Sequence, residues 1–311
     1  MVGAPQLQGA LKEIDEKDVS MMGKYYDWSR KIVFSETDGC SFAEWMKNAD
    51  NHFSYGVHPD GFLVFLRPSE IHKFDEYSAG DPYTVGSNLD TLFHKQRVKG
   101  TIDLLNFALD RESATPKILD VACGEGHITV AIHQTYPTAE ILAFDGSLSA
   151  VRNAHQAYKG ITFAVANAYD PPYAPDYFDC VVCNNIWEHV PDPLRLLNSI
   201  ARSLKPNGYL IISTPSRYHL NNLLRVLVGK PVALVSPHHV TEYSVGQVLE
   251  QLRYAGFLVE KIAGKLLWPE KLTLRSLIKC GMGCLIAGFL RLNGSHHNLG
   301  STVFYLAKKR G

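Results

Sequence analysis

Lys117-Ile-Leu-Asp-Val-Ala-Cys-Gly-Glu-Gly-His-Ile-Thr129 is the stretch on which the reading of the whole chain turns. It opens as a short apolar strand that passes through Asp120. It then turns through Gly124 and Gly126 and continues into an apolar helix from Ile128 to about His133. A strand, a glycine turn and a helix in that order leave backbone N–H groups free at a helix N-terminus, a cradle for the anionic or polar end of a nucleotide-like ligand. A Gly-x-Gly turn alone does not name the ligand. A dinucleotide reading fails on this stretch, because Thr129 stands where a third glycine is needed and Asp120 falls inside the first motif.

Working outward, apolar segments of strand and helix length alternate. Strands are expected at Ile118–Val121, Glu140–Phe144, Ile161–Ala166, Phe178–Asn184 and Tyr209–Thr214, with helices at Gly126–Tyr136, Ser147–Tyr158 and Pro193–Leu204. Such alternation predicts a parallel sheet with helices on both faces. Ligands bind such sheets beyond the carboxyl ends of the strands, where the strand order reverses. Upstream, Asn88–Leu109 has the spacing of an amphipathic helix. Downstream, Pro215–Pro237 is a long insertion with a helix near Leu220–Leu227. Helix at Ser244–Gly256, strand at Phe257–Ile262, helix at Thr273–Leu290 and strand at Thr302–Ala307 complete the chain. Residues 1–90 carry short helices at Glu13–Lys24 and Ser41–Asn51 among scattered aromatics, glycines and prolines, which predicts a helical and irregular cap segment.

The composition excludes several classes. At 311 residues, 46% apolar and 20% charged, the chain suits a globular domain with an appended segment. Lys plus Arg equals Asp plus Glu at 31 each, so no net field attracts nucleic acid or an anionic membrane. Met1-Val-Gly-Ala-Pro-Gln6 has neither a basic nor an apolar leader pattern. Six cysteines are scattered; Cys180 and Cys183 sit three apart on a strand, pointing to opposite faces, which suits buried thiols in a reducing cytoplasm rather than a metal pair. A cytoplasmic location is expected.

Five segments in register carry a resemblance. They are Ile118-Leu-Asp-Val-Ala-Cys-Gly-Glu-Gly126, Phe144-Asp145-Gly-Ser147, Ala166-Asn-Ala-Tyr-Asp170, Phe178 to Pro193 through Glu188-His-Val-Pro, and Leu204 to Pro215. From about residue 90 onward the chain resembles class I S-adenosylmethionine-dependent methyltransferases, most of all those that methylate small molecules at quinone-ring and sugar hydroxyls. The resemblance implies a Rossmann-like, seven-stranded, mostly parallel sheet with helices on both faces. It divides the chain into a cap at 1–90 and a cofactor-binding domain at 91–311, with a substrate-side insertion at 215–240 and a helix at 270–291. The implied cofactor is S-adenosylmethionine and the implied acceptor a small molecule. N- or C-methylation of a small or lipid-linked acceptor, or a methyltransferase-like protein that binds without turnover, are the alternatives.

The resemblance also assigns residues. Asp120, Ala122, Cys123, Gly124 and Gly126 form the loop facing the methionine part of the cofactor, where glycine lets the backbone approach. Asp145, with Gly146 and Ser147, can accept both ribose hydroxyls through its two oxygens. Asn167 and Ala168 flank the adenine; Asn167 departs from the family's usual Asp, yet its amide oxygen can accept from the adenine amine. Asn184 ends the fourth strand at the same edge. His94 and Arg97 are expected to close over the cofactor carboxylate.

A hydroxyl acceptor must lose a proton, so a base is expected on a loop beyond the strand ends. The candidates are His238 and His239, with capping of the next helix as the alternative, and His189, whose segment also fits a structural or cofactor-side role. A metal site from His238, His239 and Glu242 lacks a further ligand pattern, and no metal is expected. Asp170-Pro-Pro-Tyr173 spells a tetrapeptide of amino-group methyltransferases, but it follows the third strand instead of the fourth and is read as a rigid loop. Residues 266–292, apolar with interspersed Lys and Arg, are expected to cover the substrate or to touch a membrane surface peripherally, without stable insertion. Oligomeric state is left open.

Overall fold

The computed structural model describes residues 23–47, 52–79, 91–109, 115–265, 274–292, 294–295 and 300–311. In chain order these hold β1 Tyr26–Asp27, β2 Ile32–Val33, β3 Gly39–Ser41, α1 Phe42–Lys47, β4 Tyr55–Val57, β5 Leu63–Val64 and α2 Pro68–Phe74. A 3-10 turn at Glu76–Ala79 follows, then α3 Leu92–Ala108 and β6 Lys117–Val121. Next come α4 His127–Thr135, β7 Glu140–Asp145, α5 Leu148–Ala157, β8 Thr162–Val165, β9 Phe178–Asn184 and α6 Pro193–Ser203. The chain closes with β10 Leu204–Pro215, α7 Leu220–Leu227, α8 Val245–Tyr254, β11 Phe257–Lys265, α9 Leu274–Leu292 and β12 Thr302–Lys309. The helix expected at Glu13–Lys24 lies almost wholly outside the described residues, as does 266–273.

The central sheet runs β11-β12-β10-β9-β6-β7-β8-β5-β4-β3. Strands β10, β9, β6, β7 and β8 are mutually parallel, and β12 lies antiparallel between β10 and β11. These seven strands are the sheet that the sequence predicts. The sheet has ten strands, however, because the N-terminal segment adds three. Leu63 and Val64 of β5 pair in parallel with Ala164 and Val165 of β8, β4 pairs antiparallel with β5, and β3 parallel with β4. The outer edge of β8 would otherwise present unpaired N–H and C=O groups, and the upstream chain satisfies them. Part of the expected cap is therefore an extension of the sheet.

Two apolar layers cover the faces. On one, Leu196, Leu197 and Ile200 of α6 and Val245, Val248 and Leu252 of α8 pack with Val181 and Cys183 of β9. On the other, Leu104 and Leu105 of α3, Ile128 and Ile132 of α4, and Val151 and Ala154 of α5 pack with Cys180 and Val182. The two cysteines thus face opposite layers, and β9 reads as a continuous apolar run because both its faces are buried. Each fully buried aliphatic side chain of this kind contributes roughly 1.5–3 kcal/mol. Helix starts follow the local chemistry. Asp192 accepts the Arg195 N–H ahead of Pro193, Ser147 accepts from Ala150, and Ser244 forms a reciprocal box with Gln247.

Strand order reverses at β6, with β7 and β8 on one side and β9 and β10 on the other. All five parallel strands end at the same edge, so the loops after β6, β7, β8 and β9 converge there.

Candidate active site

The loop after β6 carries a local strain that its sequence makes bearable. Ala122 takes φ +56°, Gly124 +53° and Gly126 +79°, all in the left-handed region. A methyl group on Gly126 would stand 3.2 Å from both Ala154 and the Phe163 ring, so glycine there lets α4 approach the sheet closely. No side chain caps α4 at Gly126, which leaves its first-turn N–H groups to the crevice. The Cys123 N–H donates to the Phe144 carbonyl at 3.0 Å, and burial pushes the Cys123 thiol well above its usual range.

Asp145 ties this loop to the end of β7. Its Oδ2 accepts the Gly124 N–H at 2.8 Å and its Oδ1 the Ser147 N–H at 2.8 Å. Ser147 caps α5, as the sequence suggests it should.

Asp120 is buried beneath the loop, 2% exposed, and accepts from the Thr129 hydroxyl at 2.6 Å. Burial pushes its carboxyl up to about 7, opposed by the Thr129 hydrogen bond and by the charge of Arg97. Arg97 lies against the Phe93 ring at 5.6 Å on α3, and His94 meets the His127 ring at 6.2 Å. Burial, then Arg97 and His127, lower the His94 pKa and keep that ring neutral. The structure thus brings His94 and Arg97 to the first turn of α4.

Other expected residues are partly occupied. Asn167 Oδ1 accepts the Tyr169 N–H at 2.9 Å inside its own turn. The Ala168 carbonyl accepts from Ser199. Asn184 is buried, donating to Thr101 at 3.1 Å and accepting from Ser213 at 2.6 Å, so its side chain joins α3 and β10 to β9. Gly146 lies against Phe74, whose Cβ would stand 3.2 Å from a methyl placed there.

The loop after β9 begins with Asn185 at φ +53° and carries Glu188 and His189. The His189 and His239 rings meet edge to face at 5.0 Å. His189 Nδ1 lies 3.2 Å from the His238 carbonyl, and His239 Nδ1 lies 2.7 Å from Glu242 Oε1. A carbonyl and a carboxylate can only accept, so both histidines carry a proton on Nδ1. His238 contributes its carbonyl, and its side chain is exposed. Glu188, buried, accepts from Asn185 at 2.9 Å and Thr214 at 2.9 Å. Glu188, His189 and His239 each bring a donor atom within 4.8 Å of the others, a grouping that the sequence spacing does not reveal.

The Asp170–Tyr173 tetrapeptide faces the core. Tyr173 is fully buried, stacked on Tyr25 at 5.5 Å and edge-on to Phe178 at 5.3 Å, and Pro171 and Pro172 are buried beside it. The rigid-loop reading fits this arrangement. Sequence reasoning missed Asp75 and Tyr77, which reach the glycine loop and the start of α5 from the N-terminal segment. Nothing in their local sequence signals it.

The profile of a family described as a methyltransferase domain matches residues 93–262, more than half of the chain. The chain belongs to this methyltransferase family. Among curated relatives, the methyltransferase chain is 29% identical over 165 residues to a ubiquinone biosynthesis O-methyltransferase of Xanthomonas euvesicatoria, covering 51% of this chain and 69% of that one. It is 27% identical over 209 residues to the protein of the same name from Xylella fastidiosa, covering 64% and 81%. Among solved structures, the cyclase SpnF shares the fold with a TM-score of 0.50 at 18% identity, over 76% of this methyltransferase and 91% of that chain.

S-adenosylmethionine, the donor implied by the resemblance, can be tested against these residues, and they fit. Burial pushes the Asp120 carboxyl up to about 7, and a cationic ligand beside it would favour its ionised form. The glycine loop leaves uncapped N–H donors for a carboxylate, and Asp145 stands at the end of β7 fastened to that loop.

Proposed function

We propose that this chain transfers the methyl group of S-adenosylmethionine to a hydroxyl oxygen of a small, ring-bearing metabolite. The observation that carries the reading is the pair of 2.8 Å hydrogen bonds from Asp145 that lock the glycine loop to the end of β7, beside the buried Asp120. The small-molecule acceptor is supported by relatives whose names specify ubiquinone O-methylation.

When bound, the sulfonium cofactor supplies an electrophilic methyl group for in-line displacement. The residues of the chain align the reactants, an effect worth roughly 7–11 kcal/mol in well-oriented systems. Asp120, Arg97, His94 and the loop Ala122–Gly126 hold the amino-acid end. Asp145, Gly146 and Ser147 hold the ribose, and Asn167 and Ala168 flank the adenine. His239 removes the acceptor proton at Nε2, with the His189 ring set edge to face beside it. His238 fixes His189 through its carbonyl, and Asn184 braces the floor.

Among the described residues no helix is long and apolar enough to cross a membrane. In this reading the protein works in the cytoplasm, which its five described free thiols suit, and has no nucleic-acid partner. Exposed Leu227 and Val228 near α7, with Leu285 and Leu292 on α9, form the side that meets a membrane surface or an apolar acceptor tail.

Calorimetry with S-adenosylmethionine, followed by methyl transfer to a panel of catechols and phenols, tests the reading. No heat of binding at millimolar cofactor would sink it. Binding without transfer to any hydroxyl would leave the cofactor and discard the acceptor.

A further inference from the structure

We infer that the short stretch Phe74–Ala79 is the outer wall of the cofactor cleft, with Tyr77 contacting the amino-acid end of the cofactor and Asp75 fastening the wall in place. The inference rests on the S-adenosylmethionine reading above and gives part of the N-terminal segment a role in that site.

The fastening is polar and specific. Asp75 Oδ1 accepts the Ser147 hydroxyl at 2.6 Å and the Ser149 N–H at 2.9 Å, and its Oδ2 accepts the Ser149 hydroxyl at 2.9 Å. A carboxylate here also complements the positive N-terminal end of α5. It holds the stretch against the helix that begins three residues past Asp145.

Held in this way, the stretch touches both motif loops. Phe74 lies over Gly146, and the Tyr77 hydroxyl lies over Gly124, 2.9 Å from where a methyl on that glycine would stand. Gly124 belongs to the loop that faces the amino-acid end, and Gly146 to the turn that faces the ribose. Phe74 remains 42% exposed, so the stretch is not seated by burying its aromatic. Its position is set by hydrogen bonds, which specify geometry more than they stabilise. A phenol at Gly124 can donate to the cofactor carboxylate, a charge-assisted hydrogen bond.

The test compares two ligands that differ only in the part that Tyr77 would touch. S-adenosylhomocysteine carries the amino-acid end, whereas 5′-methylthioadenosine lacks it. Calorimetry on the full chain should find Tyr77→Phe binding S-adenosylhomocysteine roughly 10- to 100-fold more weakly, the scale of a lost charged hydrogen bond. Its affinity for 5′-methylthioadenosine should stay within about twofold of the unsubstituted chain. Asp75→Asn should speed the dissociation of both ligands in stopped-flow. Ser149→Ala, which removes one fastening bond and leaves Asp75 intact, should do so more mildly. Equal weakening of both ligands by Tyr77→Phe, or no weakening of either, overturns the inference. If the unsubstituted chain binds neither ligand, the cofactor reading itself fails and takes this inference with it.

Discussion

Nδ1 of His239 lies 2.7 Å from Oε1 of Glu242, and the two side chains are only 7% and 0% exposed. A buried carboxylate at that distance fixes the tautomer and orientation of the imidazole, leaving Nε2 as the atom that can take a proton. His239→Ala should lower kcat roughly 100- to 10,000-fold with cofactor affinity unchanged, and Glu242→Gln should lower it less. Steady-state kinetics on a hydroxyl acceptor check both. Near-normal turnover of His239→Ala removes it as the base, and an absolute need for a divalent cation would recast the pair as ligands.

Asp120 makes cofactor binding depend on pH. In the folded chain it keeps its proton up to about pH 7, whereas its ordinary value is 3.8. Its contribution to stability is therefore full below the ordinary value and is lost as the pH rises through about 7. A cationic ligand favours the carboxylate, so S-adenosylmethionine should bind more tightly at pH 8 than at pH 6 and release a proton. Calorimetry in buffers of different ionisation enthalpy measures that proton, and Asp120→Asn should abolish the effect.

Gly126→Ala places a methyl at φ +79° and 3.2 Å from Ala154 and Phe163. The strained backbone alone costs about 1–3 kcal/mol. Urea denaturation should show a lower midpoint with an unchanged slope. A midpoint equal to that of the unsubstituted chain would contradict the close approach of α4 to the sheet.

Tyr173 separates a core tyrosine from a substrate-binding one. Tyr173→Ala should cost about 3–5 kcal/mol, the range of an aromatic removed from a core. The Tyr173 hydroxyl is buried with no partner among the described residues, so Tyr173→Phe should be neutral or stabilising. Retained stability in the alanine variant with lost turnover would return the tetrapeptide to the active site.

The parts of the fold that were legible in the sequence are those whose signal is local. Phe178–Asn184 is buried on both faces and reads as an unbroken apolar run, and Leu220–Leu227 is a largely apolar run closed by Gly229 and Pro231. Strands β3, β4 and β5 were not legible, because two or three residues hold no periodicity and exist only by pairing outward from β8, β5 on β8, β4 on β5 and β3 on β4. The same contrast runs through the candidate site. Gly124, Gly126 and Asp145 announce themselves by spacing, and the sequence already sets Glu242 near His239, but their hydrogen bond appears only once the loop is folded. Asp75 reaches Ser147 across 72 residues, and only tertiary contact joins them.

The pairing of Leu63 and Val64 with Ala164 and Val165 means that the recognisable family segment and the folding unit have different borders. A polypeptide begun at residue 91 would keep every motif and still present the bare flank of β8 to its neighbours. Such a fragment should self-associate on light scattering, whereas the longer chain should not. In this chain the seven-stranded sheet is the inner part of a broader one, and β8, which would otherwise be an edge, is interior.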